Sequence, residues 1–236
     1  MRILVSGDVH GRHDIKKLGN DRIRMNHGQL PEVLLVCGDF GFPWYNDPNN
    51  REDNHFRKWF DDKPYYTIVI PGNHDNYARI NDMEQTTLFG AKVRQYSPNI
   101  FFVERNEILD IDGKTFYCFG GATSADKENR IIGISWWPEE SATFADGSKM
   151  VNVVTKNPSV NYILSHTCPQ KWVKYFPNHY HSDVKCPTRD ALDWLEENLS
   201  YERWFFGHWH RDENIDEKGQ CLFYKTVALG DYEESL

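Results

Sequence analysis

The sequence has no long apolar run and no Cys-x-x-Cys pair, and we expect no signal peptide in its first residues. No stretch of its 236 residues approaches the ~20 consecutive apolar residues that a transmembrane helix needs. The apolar run at residues 3–5 is too short for a signal peptide, and Asp8 interrupts any continuation of it. The five cysteines are odd in number and scattered, without a Cys-x-x-Cys pair, so we expect reduced thiols. These absences predict a cytoplasmic protein that has no membrane partner.

The sequence also lacks an excess of positive charge. Lys and Arg total 27 against 35 Asp and Glu, which gives a net charge of −8. Such a charge provides no general attraction for nucleic acid, so strong nonspecific nucleic-acid binding is not expected. Aromatic residues make up 14% of the chain, which disfavours disorder. The length is sufficient for a substantial buried core.

Short apolar runs that end at Gly or Pro predict buried strands in the first part of the chain. The clearest are residues 33–37 and residues 66–70. Residues 101–119 then predict antiparallel strands, with a hairpin turn at Asp112-Gly113. Residues 122–158 carry few periodic signals, and we expect a long loop excursion there. This mixture of strand types, interrupted by helical patterns, indicates an α/β protein.

Five short polar segments follow predicted strands and carry most of the chemistry. They read Asp8-Val9-His10, Gly38-Asp39, Gly72-Asn73-His74-Asp75, His166 and Gly207-His208-Trp209-His210. A carboxylate has two oxygens and can bridge two cations, while His and Asn complete the coordination as neutral ligands. Two cations about 3.5–4 Å apart can clamp a phosphoryl group and stabilise its attacking and leaving oxygens together. The segments therefore predict a two-metal hydrolase acting on an anionic phosphate ester.

These five motifs, in this order, resemble those of the calcineurin-like metallophosphoesterases. The resemblance runs from residue 8 to residue 210 and implies a four-layer α/β/β/α sandwich of two mixed sheets flanked by helices. It also implies hydrolysis of a phosphate ester by direct attack of a metal-bound hydroxide. Because the motifs are interleaved and residues 8 and 210 must meet, we expect a single domain over residues 1–236. A looser resemblance at residues 119–138 is to bacterial and prophage members of the family.

The resemblance implies roles for individual residues. One metal would be held by Asp8, His10, Asp39 and His210, and a second by Asp39, Asn73, His166 and His208. His74 would bind no metal; it would stabilise the transition state or protonate the leaving oxygen, held in place by Asp75. The donor types suit Mn, Fe, Zn, Ni or Co, so we expect two divalent transition-metal ions, with manganese as the first choice.

One departure from the family pattern bears on the substrate. Relatives that act on phosphoproteins carry Gly-Asp-x-x-Asp-Arg-Gly, whose Arg grips the phosphate, whereas Gly38-Asp39 is followed here by Phe-Gly-Phe-Pro-Trp. Phe40 and its aromatic neighbours could stack on a base or an aryl group, which favours a phosphodiester or a nucleotide-like ester. Candidate substrate contacts are Arg12 or Arg130, in place of the missing Arg, and Asn76 beside His74. For both arginines a solvated surface position is the alternative.

Three other functions stay open at this point. The chain could be a phosphomonoesterase or protein phosphatase, or a nuclease acting on short nucleic acid. It could also be a non-catalytic binding scaffold, which we disfavour because every predicted ligand is kept. His179 and His181 alternate as a metal pair might, but they lie in a Pro- and Asn-rich loop without a nearby acidic residue. We therefore assign this pair no role.

Overall fold

Two mixed β-sheets pack face to face in the computed structural model, which describes residues 1–230. The strands are β1 Ile3–Ser6, β2 Val33–Cys37, β3 Tyr66–Ile70, β4 Glu84–Leu88, β5 Ala91–Ser97, β6 Ile100–Val103, β7 Glu107–Ile111, β8 Lys114–Phe119, β9 Tyr162–Ser165, β10 Arg203–Phe206, β11 Glu213–Asn214, β12 Gly219–Cys221 and β13 Thr226–Leu229. The helices are α1 Asn20–His27, α2 Arg51–Asp61, α3 Tyr77–Asn81, α4 Phe144–Lys156 and α5 Pro187–Asn198.

Each sheet has a parallel centre and antiparallel edges. The first sheet has the order β13-β1-β2-β3-β6-β5-β4, and its strands β1, β2, β3 and β6 are parallel. The second has the order β11-β12-β10-β9-β8-β7, with β8, β9, β10 and β12 parallel. The parallel strands therefore present their carboxyl ends at one edge of each sheet, which is where loops can gather functional side chains.

Alternation along the strands builds the layers. In β1, Ile3 and Val5 belong to the cluster between the sheets, whereas Leu4 belongs to the cluster beneath α1 and α2. In β10, Phe205 faces between the sheets, and Trp204 packs outward with residues of α4 and α5. Successive side chains of a strand point to opposite faces, so these continuous apolar runs are buried on both sides. The predicted four-layer α/β/β/α sandwich is confirmed.

The segment 122–158 contains a helix that the loop prediction missed. Its second half forms α4, which begins with a capping box: Thr143 Oγ1 accepts from the Asp146 amide, and the Asp146 carboxylate accepts from the Thr143 amide. Met150 and Val154, one helical turn apart, bury the inner face of this helix. The Thr-x-x-Asp pattern and this spacing were the available signals. Residues 122–143 contain short 3-10 turns and one isolated bridge between Ile132 and Trp136, as expected of an irregular excursion.

The hairpin of β4 and β5 was also absent from the sequence prediction. These strands extend the first sheet at its edge, and most of their side chains are at least partly exposed. In β5 only alternate residues such as Ala91 and Val93 are buried, so no continuous apolar run marks the strand.

All five cysteines are unpaired and buried. Within residues 1–230, no helix has the length and apolarity needed to cross a bilayer.

Candidate metal centre

The sequence motifs meet where the parallel strands of both sheets end. Asp8 follows β1, Asp39 follows β2 and Asn73 follows β3, and these three strands are neighbours in the first sheet. His166 follows β9 and His208 follows β10, which are neighbours in the second sheet. Because the sheets pack face to face, the two rows of strand ends form one polar site.

Four of the predicted ligands form a tight cluster. Asp8, His10, Asp39 and His210 each offer a donor atom, and these four atoms all lie within 4.8 Å of one another. His10 Nε2 is 3.4 Å from Asp39 Oδ2, and His210 Nε2 is 3.5 Å from Asp8 Oδ2. The Asp14 carboxylate, 3.0 Å from His10 Nδ1, orients that imidazole from behind. This donor set is the one that the sequence predicts for the first metal.

The remaining predicted ligands form a second group beside the first. Asn73 Oδ1 lies 2.8 Å from His166 Nε2 and 2.9 Å from His208 Nδ1, and Asp39 Oδ1 lies 3.3 Å from His166 Nε2. His166 Nδ1 is 3.0 Å from the Cys37 carbonyl oxygen and donates to it, which leaves a lone pair on Nε2. That lone pair then faces Asn73 Oδ1 and Asp39 Oδ1, which are also acceptors and carry no proton to share. A cation bound by these atoms would turn their mutual repulsion into attraction.

Asp39 lies between the two groups and is nine-tenths or more buried. Its Oδ1 accepts a hydrogen bond from the His74 amide at 2.7 Å, while Oδ2 has no hydrogen-bond donor among residues 1–230. A buried carboxylate oxygen without a donor is costly unless a positive charge lies nearby. Burial alone would lower the pKa of His10, but the carboxylates of Asp39 and Asp8 raise it to about 10. These carboxylates therefore demand a cationic partner, so the residues present fit divalent metal ions.

The backbone at this site adopts conformations that non-glycine residues avoid. The φ angles are +47° at His10, +46° at Asp39, +68° at His208 and +49° at His210. Positive φ is uncommon for such residues, and it concentrates where function requires a particular side-chain direction. Gly207 has a packing role as well, since a Cβ there would lie 2.1 Å from Asp8 Oδ1. The loops are thus shaped to bring donor atoms together.

His74 lies beside the first cluster without joining either ligand group. Its ring centroid is 6.2 Å from that of His10. Burial lowers the pKa of His74, and the nearby guanidinium of Arg130 lowers it further. Arg130 Nη1 is 2.7 Å from His74 Nδ1, and Nη2 is 3.1 Å from Nε2. A neutral imidazole accepts at one nitrogen only, so a single guanidinium hydrogen bond forms in either tautomer.

The prediction that Asp75 holds the His74 ring in place is wrong. The two carboxylate oxygens of Asp75 accept hydrogen bonds from the amides of Gly41 and Gly72, each at 2.8 Å. Asp75 therefore ties together the loops that follow β2 and β3, and it makes no hydrogen bond to the His74 ring. Burial raises the pKa of Asp75 to about 6, and the negative charge of Asp39 contributes. Its role in the structure is to position the loops.

Two predicted substrate contacts, Phe40 and Asn76, are also wrong, because both side chains are buried. Phe40 is fully buried and packs against Phe60 and Phe102 in the core beneath the site. Asn76 caps α3 by accepting from the Arg79 amide at 3.0 Å, and its amide nitrogen donates to the Trp44 carbonyl at 2.8 Å. Adjacency in the chain does not decide side-chain direction, and both side chains point into the protein.

A cleft of about 310 Å³ opens beside His10 and His74. Its other walls include Arg12, Phe42, Trp44 and Tyr45. Arg12 is 67% exposed and lies 3.8 Å from Glu52, so it stays a surface arginine at the rim. Arg130 is only 13% exposed, and it is held by the Asp126 carboxylate at 2.8 Å and the Ser135 carbonyl at 3.1 Å. Of the two candidate arginines, the structure brings Arg130 to the site.

His181, which has no predicted role, lies against a predicted ligand. His181 is buried and stacks on His208, with ring centroids 3.9 Å apart. Its loop also packs on Trp209, since His179 lies 5.2 Å from that indole. No periodicity or motif marks these contacts, because the loop reaches the site only through the tertiary fold.

Comparisons with known proteins bear on the fold and the family of this chain. A phosphopantetheinyl hydrolase from Mycobacterium tuberculosis is 14% identical, with a TM-score of 0.46; the match covers 94% of this chain and 89% of that one. Another solved structure is 15% identical, with a TM-score of 0.51 and the same coverage, which supports the fold. No curated protein matches the sequence. The model of the calcineurin-like phosphoesterase family matches residues 1–212. The chain therefore belongs to the calcineurin-like phosphoesterase family and is a metal-dependent phosphoester hydrolase.

Proposed function

We propose that the protein hydrolyses small phosphodiesters, including nucleotide-like ones, at a two-metal centre. One cation would be held by Asp8, His10, Asp39 and His210, and the other by Asp39, Asn73, His166 and His208. The position of Asp39 carries this proposal, because its two oxygens face the two groups separately. Divalent cations supply positive charge that polarises a phosphoryl group and acidifies coordinated water. Since both sheets contribute ligands, the chain would act as one catalytic domain.

The donor set also bears on the choice of cation. Asp8, Asp39 and Asn73 supply oxygen donors, which manganese accepts readily, and the four imidazoles suit Fe, Co, Ni and Zn as well. We propose manganese as the first metal to test.

His74 would act on the leaving group. Its amide is fixed by Asp39, so the imidazole stays at the mouth of the cleft beside His10. An alkoxide is a poor leaving group at neutral pH. The neutral imidazole can stabilise it by donating an N–H hydrogen bond, whereas protonating it as the ester bond breaks requires the imidazolium form. His74 needs no carboxylate partner for this role, because Arg130 and the backbone already orient it.

Arg130 would take the place of the arginine that the second motif lacks. Its guanidinium reaches the His74 ring, while Asp126 and the Ser135 carbonyl hold it from the other side. A guanidinium presents paired N–H groups that match two oxygens of a phosphate. In this chain the phosphate-binding arginine would therefore come from the 122–143 excursion rather than from the loop after β2.

Arg130→Gln is expected to lower kcat/KM about 10–100-fold, which corresponds to the loss of one charge-assisted hydrogen bond. Metal content should not change, because Arg130 belongs to neither ligand group. Lys127→Gln is the matched control: it removes one positive charge from the same segment at an exposed position. Steady-state kinetics of both variants test the assignment. Equal effects of the two substitutions would show that only the general charge of the segment matters.

The walls of the cleft favour a diester over a monoester. Trp44 and Tyr45 offer aromatic surface beside the site, and the Asp53 carboxylate fixes their loop by accepting from both of their amides. Glu52 and Asp53 also line the cleft, and Arg12 offsets only part of their negative charge, which disfavours a second anionic group there. A diester places an uncharged nucleoside or aryl substituent in this space, where aromatic stacking can hold it.

A substrate panel tests the proposed function. The metal-loaded protein should hydrolyse aryl phosphodiesters, cyclic nucleotides or dinucleotides with a kcat/KM at least about tenfold above that for matched monoesters, the ratio expected from ~1.4 kcal/mol of differential binding. Clear preference for phosphoserine peptides would contradict the proposal. Hydrolysis of longer oligonucleotides with a steep salt dependence would indicate a nuclease instead.

A further inference from the structure

A buried hydrogen-bond relay leads from Asn73 into the 122–143 excursion. Asn73 Nδ2 donates to Ser124 Oγ at 3.0 Å, and Ser124 Oγ donates to Glu140 Oε2 at 2.7 Å. The Ser124 amide also donates to Glu140 Oε1 at 2.7 Å. Asn73, Ser124 and Glu140 are each no more than 1% exposed. Water is therefore excluded from the relay, so the direction of its hydrogen bonds is set by the protein groups around it.

The relay has only one consistent direction. A carboxylate only accepts hydrogen bonds, so Glu140 requires both the amide and the hydroxyl of Ser124 to donate to it. The Ser124 hydroxyl then has lone pairs, and no proton, to offer to Asn73. Asn73 must therefore turn its NH₂ group toward Ser124, which leaves Oδ1 facing His166 and His208.

This direction matters because the two ends of an asparagine amide are nearly the same size. Only the oxygen end can ligate a cation, while the NH₂ end would repel one. The immediate surroundings of Asn73 Oδ1 are two imidazole nitrogens, and in the absence of a cation these could accept from an NH₂ group instead. The site itself thus does not select the metal-binding orientation.

We infer that Ser124 and Glu140 are positioning residues that hold the Asn73 amide with its oxygen toward the second cation. The inference rests on the proposed assignment of Asn73 as a ligand. It also gives the excursion a second task besides presenting Arg130, since the same segment orients a metal ligand. One stretch of irregular chain thereby couples metal binding to contact with the phosphate group.

Glu140→Gln provides the sharpest test, because it reverses the relay without changing its shape. The NH₂ group of the new glutamine is a donor that faces the Ser124 hydroxyl, which is also a donor. The hydroxyl can remove this conflict by accepting from the glutamine and donating its own proton to Asn73. The Asn73 amide then turns its nitrogen toward the second cation. We expect the affinity of that cation to fall about 10–100-fold, as is usual when a group that orients a ligand is lost.

Two further variants separate orientation from simple packing. Ser124→Ala removes the hydroxyl from the relay and should weaken the same cation, whereas Ser124→Thr keeps the hydroxyl and should bind as the wild type does. Ser141→Ala is the matched control. It breaks the 2.9 Å contact between Ser141 Oγ and Thr123 Oγ1 in the same segment but outside the relay.

The measurement is a calorimetric titration of chelator-treated protein with Mn²⁺, with metal content and melting temperature determined in parallel. The wild type and Ser141→Ala should bind two ions, and Glu140→Gln and Ser124→Ala should bind one normally and the second more weakly. Unchanged affinity of the second ion in both relay variants would overturn the inference. The inference would also be overturned if both relay variants bound the two ions equally weakly and had a lower melting temperature in chelator, because that result would indicate general damage to the fold. A wild type that binds fewer than two ions would instead overturn the two-metal proposal, and the relay with it.

Discussion

Asp39→Asn is expected to abolish hydrolysis and to prevent the binding of a metal pair. Asp39 Oδ2 lies 3.4 Å from His10 Nε2, and Oδ1 lies 3.3 Å from His166 Nε2, so each oxygen serves a different ligand group. Asparagine offers one oxygen and one NH₂ group, and the NH₂ end cannot ligate a cation. We expect kcat/KM to fall by about 10³-fold or more, at the upper end of the effects of a single electrostatic contact.

Metal analysis and thermal denaturation distinguish this loss from general damage. Mn²⁺ should raise the melting temperature of the wild type, because a ligand that binds only the folded state stabilises it by mass action. The Asp39→Asn variant should show little of this effect. In chelator, by contrast, it should be less stable than the wild type, because the substitution removes one partner of the buried pair between Asp39 and His10. A variant that retains two ions and normal turnover would contradict the bridging role.

His74→Asn is expected to lower kcat about 10²–10⁴-fold, the usual range for losing a group that transfers or stabilises a proton. Metal content should stay at the wild-type value, since the ring belongs to neither ligand group. The hydrogen bond from its backbone amide to Asp39 does not depend on the side chain.

The loss should also depend on the leaving group. Esters of 4-nitrophenol release a stable anion and should lose less activity than alkyl or nucleoside esters, which require a proton on the leaving oxygen. Equal losses across the series would assign His74 to charge stabilisation and would contradict the general-acid role. Loss of a metal ion from this variant would show that His74 is itself a ligand.

The fold could be predicted largely because its strands are buried on both faces. Residues 33–37 and 66–70 read as continuous apolar runs, and the structure shows β2 and β3 there. Segments whose apolar residues are sparse were missed, since β4 and β5 lie at a sheet edge and α4 buries one narrow stripe. Edge strands and surface helices carry weaker patterns because much of their surface meets water.

The substrate contacts were predicted less well than the candidate ligands. Phe40 and Asn76 were chosen because they follow motif residues in the chain, and both turn into the protein. Arg130 is 56 positions from His74 and lies in a segment without periodicity, yet its guanidinium lies within hydrogen-bond distance of that ring. Neighbours in sequence and neighbours in space are thus different sets at this site.

Local patterns of apolar and polar residues encode the donor types, their order and their placement at the ends of strands, so all three can be read from the chain. Which loops meet above those ends depends on the tertiary fold. Asp75 joins two loops, Arg130 reaches His74, and Ser124 and Glu140 orient Asn73 across the excursion. Such contacts link residues far apart in the chain, and they depend on the packing of two complete sheets. The direction of a side chain at the end of a strand is set by the residues that it contacts in space.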